Sequence, residues 1–247
     1  FAKSKDMPLY QALGADHKAL PLYNSCGLGL IGANKVGDEA KALLEGGFTA
    51  VKLRLGYPTL AEDLAVIDAV RDAVPPETRV MTDYNQSLTI AEAKIRVQAM
   101  ADRDLTWIEE PTRYNDYDGH AEISAVSTIP IQLGENCWGP HDFARAIDAG
   151  SGDYLMPDLI KIGGVTGWMK ASALAERAGI PVSCHLFPEV SAHLLAATPT
   201  AHWLEYVDWA EPVLAAPLER KDGKAFPSQS PGVGLAWNEE AVSRYAL

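Results

Sequence analysis

The sequence has 247 residues, of which 47% are hydrophobic and 22% are charged, and its formal net charge is -12. This composition is typical of globular proteins, and the apolar runs fall well short of the roughly 20 residues that span a bilayer. The acidic balance, without a basic cluster, excludes nucleic acid and anionic membrane surfaces as expected partners, but not a small anionic substrate.

The first segment, residues 1–19, has a pattern that predicts a helix leading into a larger domain. It begins at Phe1 and lacks the charged, apolar and small-residue regions of a signal peptide. We therefore expect the chain to be a fragment or a processed form. The three cysteines, Cys26, Cys137 and Cys184, are widely spaced and odd in number, which favours reduced thiols and predicts a cytoplasmic protein.

Short β-rich runs then alternate with segments of helical periodicity, about every 25 residues. Eight strands are predicted, near 20–25, 48–55, 78–84, 105–110, 129–135, 153–160, 180–185 and 202–207. The clearest helical segments lie at 59–74, 89–101, 139–150 and 166–179. Eight strands joined by helices, without a linker, favour an α/β fold of the TIM-barrel type, with a doubly wound open sheet as the alternative.

The last forty residues are richer in Pro and Gly and lose this rhythm. We expect them to pack as a tail against one end of the barrel. The predicted organisation is therefore an N-terminal helix at 1–19, a barrel at 20–207 and a C-terminal tail at 208–247.

Carboxylates recur at the ends of three neighbouring predicted strands. Asp83, Glu109 and Glu135 are each separated by 26 residues, one per strand-helix unit. Adjacent barrel strands bring such residues together, and three oxygen ligands without Cys or His suit a hard cation such as Mg²⁺. For any single acid, helix capping or pairing with a surface lysine explains the position equally well, but three in register favour a metal site.

The next three strands each end in one further titratable group, namely Asp158, His185 and Glu205. An Asp beside a His fixes the imidazole tautomer and raises its basicity, which is how a general base is built near neutral pH. We therefore interpret His185 as a candidate base rather than as an ordinary core histidine.

Two cations alternate on the second predicted strand. Lys52 and Arg54 point to one face, into the mouth of the barrel, where they would face the metal and a substrate anion. Pairing with an inward acid such as Asp83 is the other interpretation, and the two are compatible.

Six motifs spread over nearly the whole chain are "VKLRLGYPTLAEDLAVI", "DYNQSL", "TWIEEPT", "GEN", "MPDLIKIGGVTGW" and "HLFPEVSAHLLAATPTAHWLE". Together they closely resemble the mandelate racemase family of the enolase superfamily. The resemblance implies a (β/α)₇β barrel that holds one Mg²⁺ and abstracts the proton α to a carboxylate, giving an enediolate bound to the metal. The N-terminal α+β capping domain of that family is missing from this sequence, so we expect the chain alone to be far less active than a capped version.

Site roles follow from the same resemblance. His185 would be the base, oriented by Asp158, while Glu205 would hydrogen-bond the substrate carboxylate and Lys52 would neutralise it. Ser25 resembles the carboxylate-contacting serine of the family. Substrate-side support would come from Asn85 and Lys161, and the Mg²⁺ ligands would be Asp83, Glu109 and Glu135.

One residue departs from the family pattern. The family has a second lysine, acting on the face opposite the histidine, where this sequence has Arg54. Arginine is a poor proton acceptor because its pKa exceeds 12. Arg54 would act as a base only with a severely depressed pKa, and could instead bind a distal carboxylate or hydroxyl.

Three functions therefore stay open. The first is Mg²⁺-dependent racemisation of a mandelate-like 2-hydroxy acid, and the second is dehydration of a sugar acid with His185 as the sole base. The third is a non-catalytic barrel fragment. The resemblance also implies a homo-oligomer that acts on a small carboxylate.

Overall fold

A computed structural model of the chain describes residues 1–245. Its strands are β1 (Leu20–Asn24), β2 (Ala50–Arg54), β3 (Arg79–Asp83), β4 (Leu105–Glu109), β5 (Ile131–Leu133), β6 (Tyr154–Leu155), β7 (Leu204–Tyr206), β8 (Glu219–Lys221) and β9 (Lys224–Phe226). Its α-helices are α1 (Leu9–Ala12), α2 (Ala33–Leu43), α3 (Leu60–Ala73), α4 (Ile90–Ala99), α5 (Tyr117–Ser124), α6 (Gly139–Asp148), α7 (Gly164–Ala178), α8 (Pro188–Ala196) and α9 (Glu239–Ser243). Two 3₁₀ turns lie at Lys3–Lys5 and Glu211–Val213.

The sheet confirms the predicted α/β barrel. Strands β1 to β6 pair in parallel in chain order, and β7 pairs in parallel with the other side of β1. The helices between them cover the outside of this sheet, as parallel strands require. Within residues 1–245, no helix combines the length and the apolar character needed to cross a membrane.

The seventh predicted strand, 180–185, closes the barrel without forming a regular strand. Val182 pairs with both Leu155 and Ala201, and His185 pairs with Asp158. On one side of this segment, the N–H groups of residues 182 and 184 donate to the carbonyls of Thr200 and Trp203. On the other side, the N–H groups of residues 183 and 185 donate to the carbonyls of Leu155 and Pro157. Pairing is interrupted because Pro181 and Pro157 have no N–H to donate to the ladder.

The N-terminal segment differs from the expected single helix over 1–19. It contains only the 3₁₀ turn at Lys3–Lys5 and the four-residue α1. Pro8 stands between them, and a proline disfavours helical backbone at the residue before it, here Met7. The helix prediction for this segment was therefore wrong.

A glycine-rich loop follows β1. Residues 27–32 read GLGLIG, the G-x-G-x-x-G spacing of dinucleotide-binding turns. Here the loop belongs to the barrel, since the Gly27 carbonyl accepts from Arg54 at 2.9 Å and the Gly32 N–H donates to the Tyr57 hydroxyl at 2.8 Å. The pattern is therefore no support for the doubly wound alternative.

Residues of the predicted tail, 208–247, extend the sheet. Strands β8 and β9 form a hairpin, and β9 pairs antiparallel with the beginning of β1, with Leu20 opposite Ala225. The last two residues of that tail, 246 and 247, lie outside the described residues.

Inward-facing residues of the strands form two layers inside the barrel. Tyr23, Ala50, Met81 and Trp107 are fully buried and form one apolar cluster. Two residues further along β2, β3 and β4 come Lys52, Asp83 and Glu109 in turn. Because side chains alternate with a period of two, these polar residues face the same interior, one layer closer to the carboxyl ends of the strands.

The pairing of β3 with β4 contains an irregularity that matters for this layer. Val80 is opposite Leu105, but Thr82 is opposite Ile108, so β4 carries one extra residue between the two pairs. The next pair is Asp83 opposite Glu109. The irregularity thus sets two carboxylates side by side, since a shift of one residue would place Ile108 beside Asp83.

A buried carboxylate fixes the loop after β2. Asp63 on α3 accepts hydrogen bonds from the N–H groups of Gly56 and Tyr57, both at 3.0 Å, and from the Tyr84 hydroxyl at 2.9 Å. It also pairs with the buried guanidinium of Arg96. This network joins α3, α4 and the loops that follow β2 and β3.

We expect Asp63→Ala to lower the free energy of unfolding by about 3–5 kcal/mol, because it leaves a buried guanidinium unpaired. Urea denaturation followed by circular dichroism measures this. Asp38→Ala is the control, since Asp38 is exposed and forms a surface ion pair with Lys41 at 3.7 Å, and its effect should stay below about 0.5 kcal/mol. Equal effects of the two changes would contradict the assigned role.

A second prediction concerns acid stability. Burial lowers the pKa of His202 from 6.5 to about 4, and its ring packs against Trp107 and Tyr154. Between these pH values the unfolded chain binds the proton and the folded chain does not, so stability falls as the pH drops from 6.5 towards 4. The full loss attributable to this group is about 3 kcal/mol.

The comparison that isolates this contribution is His202→Phe. We expect its unfolding free energy to depend less on pH below 6.5 than that of the unchanged chain, in urea titrations at several pH values. His141→Phe, at an exposed position, serves as the control. Parallel pH profiles for the unchanged chain and His202→Phe would refute the prediction.

Candidate functional site

Three carboxylates converge at the carboxyl ends of the central strands. Asp83 and Glu109 are the last residues of β3 and β4, and Glu135 lies two residues beyond β5. Each offers an oxygen atom, and the three atoms lie within 4.8 Å of one another. Gly134 allows the turn into Glu135, because its φ is +125° and a Cβ there would lie 3.1 Å from the backbone nitrogen of Met156.

A single ammonium stands among these acids. The Nζ atom of Lys52 lies 2.8 Å from Glu205, 3.0 Å from Glu109 and 3.4 Å from Asp83. The Lys52 side chain is only 2% exposed. Burial opposes its charge, but Glu109, Glu205 and Asp83 together raise the pKa of Lys52 well above its usual value, so the ammonium stays protonated.

The cluster carries an excess of negative charge. Four carboxylates, Asp83, Glu109, Glu135 and Glu205, face one lysine ammonium. Burial raises the pKa of Glu109, and the neighbouring acids add to this while Lys52 opposes it. An all-oxygen donor set with surplus negative charge is the chemistry that a hard divalent cation neutralises. The residues present therefore fit a Mg²⁺ site formed by Asp83, Glu109 and Glu135.

The predicted imidazole–carboxylate pair is formed. His185 Nδ1 lies 2.8 Å from Asp158, and its Nε2 lies 3.3 Å from Glu135. Burial lowers the pKa of His185, but the hydrogen bond that its Nδ1 donates to Asp158 and the charge of Glu135 outweigh this effect and raise the pKa. Asp158 is itself held by the N–H groups of Ile160 and Lys161. This arrangement leaves Nε2 as the nitrogen that faces the carboxylate cluster.

Glu205 closes the cluster from the β7 side. Burial raises its pKa, but Lys52 and His185 outweigh that effect and lower the pKa to about 2. Its oxygens accept from Lys52 and from the Leu186 N–H at 2.9 Å. Glu205 is thus an ionised acceptor here, and to donate a hydrogen bond to a substrate carboxylate it must first take up a proton.

Arg54 does not join the acids. Its guanidinium donates to the backbone carbonyls of Gly27 at 2.9 Å and Ser25 at 3.3 Å, and to the Ser25 hydroxyl at 2.9 Å. A donor-only group bound to three oxygens of one loop has no free site for a proton. The structure therefore places Ser25 beside Arg54, whereas Lys52 is the cation that contacts Asp83, Glu109 and Glu205.

The two predicted supporting residues contact other side chains of the cluster. Asn85 donates to Asp83 through its backbone N–H at 2.8 Å and its amide at 3.0 Å. Lys161 donates to the Asn136 amide oxygen at 2.7 Å. Their described contacts thus support the candidate metal site.

Sequence reasoning missed several polar residues of the site. Trp107 and Gln132 donate to Glu109 at 3.1 and 3.3 Å, and both lie on inward positions that strand alternation could have identified. Glu110, the second acid of "EEP", is also buried. Burial and the charge of Glu135 raise the pKa of Glu110 to about 8.

Comparison with known proteins agrees with this arrangement. The sequence profile described as "Enolase C-terminal domain-like" matches residues 35–241. L-talarate/galactarate dehydratase of Salmonella typhimurium is 33% identical over 243 residues, which are 97% of this chain and 61% of that protein. This chain therefore spans about three fifths of the length of that curated relative.

Solved structures give a similar result. A magnesium-bound enolase from alpha pretobacterium bal199 matches with a TM-score of 0.95 at 42% identity, covering 98% of this chain and 68% of that one. An enolase from Bradyrhizobium, complexed with magnesium and mandelic acid, matches with a TM-score of 0.91 at 45% identity. That match covers 97% of this chain and 66% of the Bradyrhizobium chain.

The carboxylate cluster predicts the behaviour of a metal-ligand variant. Glu135→Ala should weaken Mn²⁺ binding, measured by electron paramagnetic resonance, by more than the 10–100-fold typical of residues that only support a ligand. The exposed residue Glu176 on α7 supplies the control, and Glu176→Ala should bind as the unchanged chain does. Unaltered Mn²⁺ affinity in Glu135→Ala would refute the assigned metal site.

Proposed function

Because this chain belongs to the enolase C-terminal domain-like family of the enolase superfamily, we propose that it uses Mg²⁺ to remove the proton α to the carboxylate of a small 2-hydroxy acid. The proposed ligands of the cation are Asp83, Glu109 and Glu135, whose oxygens already converge. Bound Mg²⁺ would supply Lewis-acid stabilisation of the negative charge that develops on the substrate carboxylate.

His185 is the proposed base. Asp158 accepts the hydrogen bond from Nδ1, so the lone pair is on Nε2, the nitrogen that faces the cluster. Nε2 takes the α proton, and the electrons of the broken C–H bond move into the carboxylate. Lys52 and a protonated Glu205 would then stabilise the developing charge as hydrogen-bond donors.

We propose a single-base outcome, dehydration of a sugar acid. The observation that carries it is the binding of the Arg54 guanidinium to three loop oxygens, because a guanidinium held there as a donor is not available as the second base that racemisation requires. After proton removal the bond from the β carbon to its hydroxyl breaks, and the His185 imidazolium gives its proton to the leaving hydroxide. Water is released, and the resulting enol becomes a 2-keto acid.

Racemisation of a mandelate-like acid is the second candidate. The observation in its favour is the 45% identity to the Bradyrhizobium enolase solved with mandelic acid. Racemisation needs a second base, which the contacts of Arg54 argue against, so dehydration ranks first. The Salmonella dehydratase, at 33% identity, is consistent with that order.

The deciding experiment is α-proton exchange in D₂O with Mg²⁺, read by mass spectrometry and NMR. Substrates are galactarate, L-talarate and each enantiomer of mandelate. Because the relatives are longer, the chain is tested alone and also preceded by the N-terminal part of the Bradyrhizobium protein. A 2-keto acid that reacts with semicarbazide supports dehydration, whereas interconversion of both mandelate enantiomers supports racemisation. Failure of every substrate to exchange would favour a non-catalytic barrel.

The role of His185 yields a separate prediction. His185→Asn should lower turnover by about 10³-fold, because the α proton loses its acceptor. This value is the middle of the range for general-base catalysis. Mn²⁺ binding should persist, since the three carboxylates remain. His141→Gln, at an exposed site, is the matched control. An active His185→Asn variant would rule out His185 as the base.

A further inference from the structure

Asn136 is a polar side chain between the carboxylates of the site and Lys161. It directly follows Glu135 in the loop after β5. Its amide nitrogen lies 2.9 Å from Glu135 Oε1 and 2.9 and 3.1 Å from the two oxygens of Glu110. Its amide oxygen accepts from Lys161 Nζ at 2.7 Å. One amide thus joins the loops after β4, β5 and β6.

The hydrogen bonds of this amide account for all its donors. An NH₂ group has two hydrogens, and here one is available for each carboxylate, Glu110 and Glu135. Lys161 is a donor only, so its contact identifies the other amide atom as the oxygen and fixes the NH₂ group towards the acids. The observed orientation of Asn136 is therefore the one that satisfies all three neighbours.

The two acids need such a donor. Glu110 is only 1% exposed, so its oxygens cannot turn to water and depend on a partner within the site. Glu135 Oε2 lies 3.3 Å from His185, whereas Oε1 is held by Asn136. Without the amide, Glu135 would lose the contact that opposes its rotation towards the imidazole.

We propose that Asn136 is a positioning residue that holds Glu135 in place for the cation, and that Lys161 acts through Asn136 by fixing the orientation of its amide. This inference rests on the proposed Mg²⁺ site. It assigns Lys161 a role in metal affinity rather than in direct contact with the substrate.

The test measures Mn²⁺ affinity by electron paramagnetic resonance, which needs no turnover. Asn136→Ala should weaken binding by about 10–100-fold, the range for residues that orient a ligand. Lys161→Met should weaken binding several-fold by itself. In the Asn136→Ala background, Lys161→Met should add little further loss, because the residue through which it acts is gone. Lys170→Met, at an exposed lysine on α7, is the control and should bind as the unchanged chain does.

Thermal unfolding without divalent cations separates positioning from folding. A lowered melting temperature with unchanged Mn²⁺ affinity in Asn136→Ala would mean a merely structural role and would overturn the inference. Fully additive losses in the double variant would overturn the part that concerns Lys161. If Asn136→Ala fails to fold, unchanged affinity in Lys161→Met alone refutes the coupling. No Mn²⁺ binding by the unchanged chain would instead refute the metal site on which the inference rests.

Discussion

The ammonium of Lys52, enclosed by Glu205, Glu109 and Asp83, is the interaction on which the site depends. A charge removed from water is tolerated only when opposite charges and hydrogen bonds compensate it. The barrel supplies that compensation by bringing acids from separate strands to one point. The resulting surplus of carboxylates exceeds what one lysine neutralises, and the same imbalance makes the site suitable for a divalent cation.

Below this polar layer the barrel interior is apolar, and beyond it the loops are conformationally constrained. Asn85, Glu110 and Leu186 all have positive φ, at 44°, 36° and 54°. Each follows a strand end that carries a site residue. Non-glycine residues seldom adopt this conformation, and such residues concentrate at functional sites, where the surrounding structure enforces them. These three residues therefore lie at the same end of the barrel as the charges do.

Sequence patterns predicted the barrel and the converging carboxylates because alternation and strand spacing are local properties. They did not predict the details that depend on neighbours. Whether Arg54 meets acids or carbonyls is decided by the path of the chain at 25–27, directly after β1, which no periodicity describes. Asn136 escaped notice because a single amide residue in a loop has no distinctive spacing. The prediction of one helix over residues 1–19 was wrong because Pro8 disfavours helical backbone at the residue before it.

The extra residue in β4 between the Leu105 and Ile108 pairs has a consequence in genetic terms. Two residues separate Val80 from Asp83 on β3, whereas three separate Leu105 from Glu109 on β4. Loss of one codon between Leu105 and Ile108 would remove the irregularity and still leave Glu109 opposite Asp83, whereas gain of one codon would place Ile108 opposite Asp83 and turn Glu109 to the other face. Alleles with an added codon would thus encode chains that keep a barrel-like composition yet lack a complete set of the proposed metal ligands, whereas point substitutions in the same codons would leave the register intact.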